Sequence, residues 1–300
     1  MEIIKVTPRG YCKGVVRAIS MAKEAVQKYP GTPIYVLGML VHNRYIVDAL
    51  EHMGIHTLES DTKSKIQLLD DIEEGVVIFT AHGIDPKCIE KAKAKGLIVI
   101  DASCPDVLKT QELVKERLKQ GYEILYIGKA GHPEATAVCS LSDHIHLLTS
   151  LADLKSVKPA DKVFVTNQTT MSFQDIEQFF RQIHKRIPQA EFSQEICNAT
   201  RIRQEAVAAL KNIDLLYVVG DKASNNSNRL AEIAQANDEI RQVCLIENAL
   251  DIGLDQLADV KRVAVTSGAS TPTYLTAQVI TFLEQQEKHI YPTIDINKML

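Results

Sequence analysis

The sequence predicts an α/β protein built on parallel sheets, and three observations lead there. Short β-branched runs alternate with amphipathic helical stretches over all 300 residues, the pattern of repeated βαβ units. Six of those runs end in glycine or threonine and open into loops of small, hydroxyl, amide or imidazole residues before the next helix. Cys12, Cys104 and Cys197 stand at intervals of 92 and 93 residues, each just before a helical pattern.

Taken in order, Val15, Val16, Ile19, Ala22 and Val26 recur at helical spacing and stop at Pro30-Gly31. Strands are expected at 33–37, 76–80 and 97–101. A helix with Leu108, Leu113, Val114 and Leu118 on one face ends before Gly121. Strands are expected again at 123–127, 162–166, 215–219 and 262–266. Ligands of open parallel sheets bind beyond the carboxyl ends of the strands, so the loops there are the place to look for chemistry. They read Val41-His42-Asn43-Arg44, Ala81-His82-Gly83, Ala130-Gly131-His132-Pro133-Glu134, Asn167-Gln168-Thr169-Thr170, Ser224-Asn225-Asn226-Ser227-Asn228 and Ser267-Gly268-Ala269-Ser270.

The spacing of these loops repeats. His42 lies 30 residues past Cys12, His132 lies 28 past Cys104, and Asn226 lies 29 past Cys197. A further loop follows each: His82 at 70, Thr169 at 65 and Ser270 at 73 residues past the respective cysteine. The length alone favours two domains at about 150 residues each. The triple spacing favours three similar α/β units, each giving one cysteine and two polar loops.

Composition narrows the function classes. The chain has 34 basic and 38 acidic side chains, a net charge of −4, with no block of one sign. That argues against a nucleic-acid footprint and against a polybasic membrane surface. The 45% hydrophobic and 24% charged content is that of a folded globular protein. No apolar run approaches the roughly 18 residues of a membrane span, and the start Met1-Glu2-Ile3-Ile4-Lys5-Val6 has no secretory pattern. Six cysteines without an export signal suggest reduced thiols, and a cytoplasmic protein is expected.

Cys88 falls in a helix-like stretch at 85–96, Cys244 in an apolar run at 243–246, and Cys139 follows the apolar 135–138; all three read as core. Cys12 in Arg9-Gly10-Tyr11-Cys12-Lys13-Gly14 and Cys104 in Ala102-Ser103-Cys104-Pro105 sit in tight loops opening helices, where amides and the helix dipole favour a thiolate. Cys197, in Glu195-Ile196-Cys197-Asn198-Ala199-Thr200, is similar. Three such thiolates can hold zinc or an iron–sulfur cluster. Zinc sites usually include one close cysteine or histidine pair, and no cysteine pair here is close. The His52/His56 pair has H-x₃-H spacing but lies in an expected helix at 43–56 and reads as a helix face.

Around the cysteines, His42, His82, His132, Thr169, Ser224, Asn226 and Ser270 offer many hydrogen-bond donors with little fixed charge. Loops that feed helix N-termini suit a phosphate or diphosphate, although several of these residues must also serve as caps. Glu134 follows His132-Pro133 at an expected helix start, as a first-turn carboxylate or as a general acid. Neither a P-loop nor a complete G-x-G-x-x-G pattern is present, so a nucleotide is not indicated.

Nine motifs occur in one order: Gly10-Tyr11-Cys12-Lys13-Gly14-Val15, Val41-His42-Asn43, Ala81-His82-Gly83, Asp101-Ala102-Ser103-Cys104-Pro105, Gly131-His132-Pro133-Glu134, Asn167-Gln168-Thr169-Thr170, Ile196-Cys197-Asn198-Ala199-Thr200, Ser227-Asn228-Arg229-Leu230 and Gly268-Ala269-Ser270. Through them the chain closely resembles the 4-hydroxy-3-methylbut-2-enyl diphosphate reductase family over about its first 285 residues. The resemblance implies a trefoil of three α/β domains with parallel sheets around a central iron–sulfur cluster. The units are then expected over 14–103, over 104–194, and over 1–13 with 195–285, leaving 286–300 as a tail.

The resemblance further implies one [4Fe–4S] cluster per chain, held by Cys12, Cys104 and Cys197 with one iron open. It implies substrate binding by His42, His82, His132, Thr169, Ser224, Asn225, Asn226 and Ser270, with proton delivery by Glu134 and Thr169. Where many members read Ser-Ser-Asn, this chain reads Ser224-Asn225-Asn226; asparagine still donates a hydrogen bond. The reaction implied is reductive dehydroxylation of an allylic diphosphate to isopentenyl and dimethylallyl diphosphate. Its electrons would come from a ferredoxin or flavodoxin, and no nucleic acid or membrane is expected as a partner. A zinc-dependent hydrolase and a non-catalytic phosphate-binding protein are the alternative readings of the same residues.

Overall fold

A computed structural model describes residues 1–157, 160–285 and 290–300. In chain order the elements are β1 (Glu2–Lys5), α1 (Lys13–Lys28), β2 (Ile34–Leu37), α2 (Arg44–His52), β3 (Ile55–Leu58), α3 (Lys65–Leu68), β4 (Val76–Phe79), α4 (Pro86–Ala94) and β5 (Ile98–Asp101). There follow α5 (Pro105–Lys119), β6 (Glu123–Ile127), α6 (Pro133–Cys139), β7 (Ile145–Leu148), β8 (Val163–Asn167), α7 (Phe173–Arg186) and β9 (Glu191–Phe192). The remainder is α8 (Asn198–Ala208), β10 (Leu215–Val219), α9 (Asn225–Gln235), β11 (Val243–Ile246), β12 (Arg262–Ser267) and α10 (Thr273–Glu284). No helix among the described residues is long and apolar enough to cross a membrane.

The strands form three four-stranded sheets, β3-β2-β4-β5, β7-β6-β8-β9 and β11-β10-β12-β1. Every pairing is parallel. The α/β class with three parallel sheets is therefore as expected. The three sheets share one order, with the first strand of the chain completing the third sheet beside β12. Each sheet reverses direction of growth between its two central strands, the switch point at which open sheets bind ligands. The loops past those six central strands are the six polar loops of the sequence.

The central strands β4, β8 and β10 are buried along their whole length, as parallel strands covered on both faces must be. Their backbone pattern repeats three times. Gly38, Gly128 and Gly220 N–H groups donate to the carbonyls of Leu58, Leu148 and Ile246. Likewise Gly83, Met171 and Thr271 N–H groups donate to Thr80, Gln168 and Gly268.

By contact density the chain divides into two compact units, one of Met1–Ile19, Val41–Met53 and Asn198–Leu300, the other of Ser20–Leu40 and Gly54–Cys197. The first contains the sheet of β1, β10, β11 and β12. Its core includes Leu215, Tyr217, Val263, Val265, Leu275 and Val279, and residues 290–300 add Met299 to it. Part of the expected tail, 286–289, lies outside the described residues. The second unit contains the other two sheets, with cores around Val77 and Phe79, around Val165 and Ile176, and around Ile124 and Tyr126.

One local expectation is corrected. The helix expected over 43–56 ends at His52, because Gly54 adopts φ +81° and turns the chain into β3. His56 is therefore a strand residue, its ring 6.1 Å from that of Tyr35. The H-x₃-H pair does not share a helix face.

Candidate active site

Each of the three spaced cysteines is the residue before a helix: Cys12 before α1, Cys104 before α5 and Cys197 before α8. Each also makes the same backbone bond. The N–H of Cys12 donates to Ala269 O at 3.0 Å, that of Cys104 to Ala81 O at 2.9 Å, and that of Cys197 to Thr169 O at 3.1 Å. The three acceptors occupy the same place, one residue past the start of the loop that follows the third strand of each sheet. This register equates Thr169 with Ala81 and Ala269, and Thr170 with His82 and Ser270. Thr169 is thus one position out of step with His82 and Ser270.

The first loop of each sheet also has a fixed cap. Asn43, His132 and Ser224 are the N-caps of α2, α6 and α9, each accepting a backbone N–H of its own helix. His132, Asn43 and Ser224 are the equivalent residues, so His42 precedes a cap and Asn226 follows one.

In the unit of Ser20–Leu40 and Gly54–Cys197, the structure brings Glu134 and Thr169 together. Glu134 is 1% exposed. Its Oε1 accepts from Thr169 N at 2.8 Å and its Oε2 from Thr169 Oγ1 at 2.9 Å. The Tyr126 hydroxyl donates to Oε1 at 3.3 Å. Burial pushes the Glu134 pKa up to about 7 against the lowering pull of these bonds. His132 Nδ1 accepts from Glu134 N at 3.2 Å, which fixes its tautomer, and its ring stands edge-on to His82 at 5.6 Å. The turn that presents His82 needs Gly83, whose φ is +86° and whose missing Cβ would meet Gln111 Nε2 at 2.8 Å.

The other residues of Asn167-Gln168-Thr169-Thr170 brace this arrangement. Asn167 Oδ1 accepts from Glu195 N at 3.1 Å, tying the approach to Cys197 onto the end of β8. Gln168 Oε1 accepts from Lys129 N at 3.0 Å and its Nε2 donates to Thr170 Oγ1 at 2.8 Å. Glu195 also pairs with Lys109 of α5 at 3.0 Å.

In the unit of Met1–Ile19, Val41–Met53 and Asn198–Leu300 lie Cys12, His42, Ser224, Asn225, Asn226 and Ser270. The Cys12 loop is gripped from three sides. Gly10 N donates to Ser267 Oγ at 2.6 Å, and the guanidinium of buried Arg203 donates to Gly10 O at 2.7 Å. The Tyr11 hydroxyl donates to the Met299 carbonyl. Gly10 has φ +73°, and a Cβ there would meet Thr273 Oγ1 at 2.5 Å. Ser270 Oγ donates to His42 O at 3.1 Å. Asn225 and Asn226 are buried; Asn226 Nδ2 has no hydrogen-bond partner among the described residues, and its Oδ1 accepts from Thr200 Oγ1 at 3.5 Å. A buried amide donor left over is what a bound acceptor would satisfy.

The six cysteines form no disulfide. Burial raises the thiol pKa of Cys88 and of Cys139 to about 11, and raises that of Cys244. Cys88 and Cys244 pack with apolar cores, as does Cys139 at the end of α6. Three thiols at helix starts, held by one repeated backbone bond, fit the all-thiolate donor set of an iron–sulfur cluster.

Tyr126, Arg203, Ser267 and the bracing roles of Asn167 and Gln168 were not singled out by sequence reasoning. A tyrosine on a buried aliphatic strand is itself a signal, because its hydroxyl requires a partner.

The family described as "LytB protein" matches residues 3–284. A curated protein of Brevibacillus brevis, named 4-hydroxy-3-methylbut-2-enyl diphosphate reductase, is 49% identical over 289 residues, covering 95% of this chain and 92% of its own. One of the same name from Bacillus cytotoxicus is 49% identical over 293 residues, covering 96% and 91%. The solved structure of the E-1-hydroxy-2-methyl-but-2-enyl-4-diphosphate reductase of Plasmodium falciparum aligns with a TM-score of 0.88 at 32% identity, covering 97% of this chain and 90% of that one. With a family match across nearly the whole chain and relatives at half identity, this chain belongs to the LytB protein family.

Proposed function

We propose that the chain is an oxidoreductase that converts 4-hydroxy-3-methylbut-2-enyl diphosphate to isopentenyl and dimethylallyl diphosphate. Two electrons and two protons enter, the allylic C–O bond breaks, water leaves, and a C–H bond forms at either end of the allylic unit. The observation that carries the reading is Glu134, a fully buried carboxyl group whose proton affinity lies near neutrality and whose two oxygens are both held by Thr169. A general acid is most effective with a pKa near the working pH. Burial supplies that pKa here.

Cys12, Cys104 and Cys197 would hold a [4Fe–4S] cluster, one per chain, as the only three cysteines that share one backbone setting. When bound, such a cluster supplies single electrons and an iron with an open coordination position. His42, His82, His132, Ser224, Asn225, Asn226 and Ser270 bind the diphosphate through side-chain hydrogen bonds. Thr169 Oγ1 passes the Glu134 proton toward the departing hydroxyl and orients the substrate. A ferredoxin or flavodoxin is the proposed electron donor, and the cytoplasm the proposed location. We place the domains at 14–103, 104–194, and 1–13 with 195–285, each around one sheet.

The test is reductive turnover of 4-hydroxy-3-methylbut-2-enyl diphosphate by anaerobically purified protein with a low-potential reductant. Formation of both five-carbon diphosphates supports the proposal; release of inorganic phosphate alone would replace it with a hydrolase.

A further inference from the structure

Tyr126 has no exposed surface, and its side chain is part of the apolar core of Val114, Ile124, Ala135, Val138, Ile145 and Phe164. A phenol buried there must place its hydroxyl on an acceptor, and the acceptor is Glu134 Oε1 at 3.3 Å. That oxygen already accepts from Thr169 N at 2.8 Å, whereas among the described residues Oε2 accepts from Thr169 Oγ1 alone, at 2.9 Å. We propose that Tyr126 is a positioning residue for Glu134, holding Oε1 as an acceptor and leaving Oε2 as the oxygen that carries the transferable proton.

Donor chemistry separates the two oxygens. A backbone N–H can only donate, so a proton on Oε1 would face the Thr169 amide and displace its bond. A proton on Oε2 meets the Thr169 hydroxyl, which can reverse its role and accept. Tyr126 adds a second donor to Oε1 and widens that difference. Burial keeps the phenol neutral well past the range in which Glu134 titrates, so it stays a donor throughout. Its bond stabilises the carboxylate and opposes the rise that burial causes.

The other ionisable groups around the carboxyl are few. Asp106 of α5 raises the Glu134 pKa by its charge. His132, the N-cap of α6, offers Nδ1 as an acceptor to Glu134 N, with the His82 ring edge-on beyond it. Cys139, at the far end of α6, lies on the Tyr126 side, where its charge would raise the phenol pKa. Among the described residues the donors to Oε1 are the Tyr126 hydroxyl and Thr169 N.

The inference rests on the reading of Glu134 as the acid, and its test reads the carboxyl group itself. In the holoenzyme, infrared difference spectra across pH follow the protonated carboxyl C=O band, assigned to Glu134 by its loss in Glu134→Gln. Tyr126→Phe keeps the ring in its core and removes only the hydroxyl; circular dichroism and thermal unfolding establish that it folds. The expected result is a titration midpoint raised by about half to one pH unit, the scale of one hydrogen bond to a carboxylate. The alkaline limb of kcat/KM should move up with it while KM for the diphosphate stays unchanged. A midpoint that stays in place or falls in folded Tyr126→Phe overturns the inference. Failure of the parent reading looks different: near-normal turnover of Glu134→Gln, whatever the infrared midpoint does.

Discussion

Thr169 grips Glu134 twice, its amide N–H on one carboxyl oxygen at 2.8 Å and its hydroxyl on the other at 2.9 Å. The loop after β8 and the first turn of α6 are thereby locked together, and the Thr169 carbonyl in turn holds the amide of Cys197. Glu134 and the Cys197 amide are thereby joined through one residue, Thr169.

The first prediction is a pH dependence. The Glu134 carboxyl has a pKa near 4.5 when unfolded and about 7 when folded. An acid catalyst must be protonated, so kcat/KM should fall as pH rises through about 7. The stability effect has the same sign. The folded state holds the extra proton, so stability is fullest below about 4.5, declines through the window up to about 7, and then levels off. Glu134→Gln should remove that slope and gain on the wild type by an amount on the order of 3 kcal/mol above pH 7, seen in denaturant titrations at several pH values. It should also turn over at least about a hundredfold more slowly.

Thiol replacement sorts the six cysteines. Serine at Cys12, Cys104 or Cys197 should abolish bound iron and turnover together, since a neutral hydroxyl is a poor iron ligand. Alanine at Cys88, Cys139 or Cys244 should leave the iron content unchanged, as these thiols belong to packed cores. Iron retained in Cys12→Ser but lost from two of the core variants would refute the threefold assignment.

Binding and chemistry separate at His42. His42→Ala should raise KM by about 10- to 100-fold, the cost of one hydrogen bond to a charged group, and leave kcat nearly intact because the contact exists in ground and transition states alike. Steady-state kinetics decide it: a fall in kcat with KM unchanged would place His42 at the reacting end instead.

The central strands were legible because parallel strands covered on both faces read as continuous apolar runs. Those expected at 123–127 and 215–219 match β6 and β10 without adjustment. Five edge strands, β1, β3, β7, β9 and β11, were not singled out. They are short and half exposed, and residues such as Glu2, Lys5 and His56 interrupt the apolar signal. At the site, the cysteine spacing revealed the repeat because each thiol opens a helix in the same place. The polar tiers were legible only to within one or two residues: Thr169 stands where Ala81 and Ala269 stand, and Asn226 lies two residues past the cap Ser224. Tyr126 and Arg203 escaped because their partners are distant or buried, and one chain does not print such contacts.

Backbone conformation gives a prediction independent of catalysis. Gly83→Ala forces a side chain into φ +86° and sets its Cβ 2.8 Å from Gln111 Nε2 and 3.1 Å from Val107. It should destabilise the protein by about 1–3 kcal/mol, measured by chemical denaturation, and weaken substrate binding through His82. Gly31→Ala, with nothing within 4 Å of its Cβ, should cost less because it carries the conformational strain alone.

The three-thiolate cluster is tested most directly by the iron and acid-labile sulfide content of anaerobically purified protein, read with its visible spectrum. The expected result is a brown protein with iron and sulfide in equal amounts, up to about four of each per chain, lost in Cys12→Ser, Cys104→Ser and Cys197→Ser. A colourless protein that carries zinc, or one whose brown colour survives all three substitutions, would contradict it.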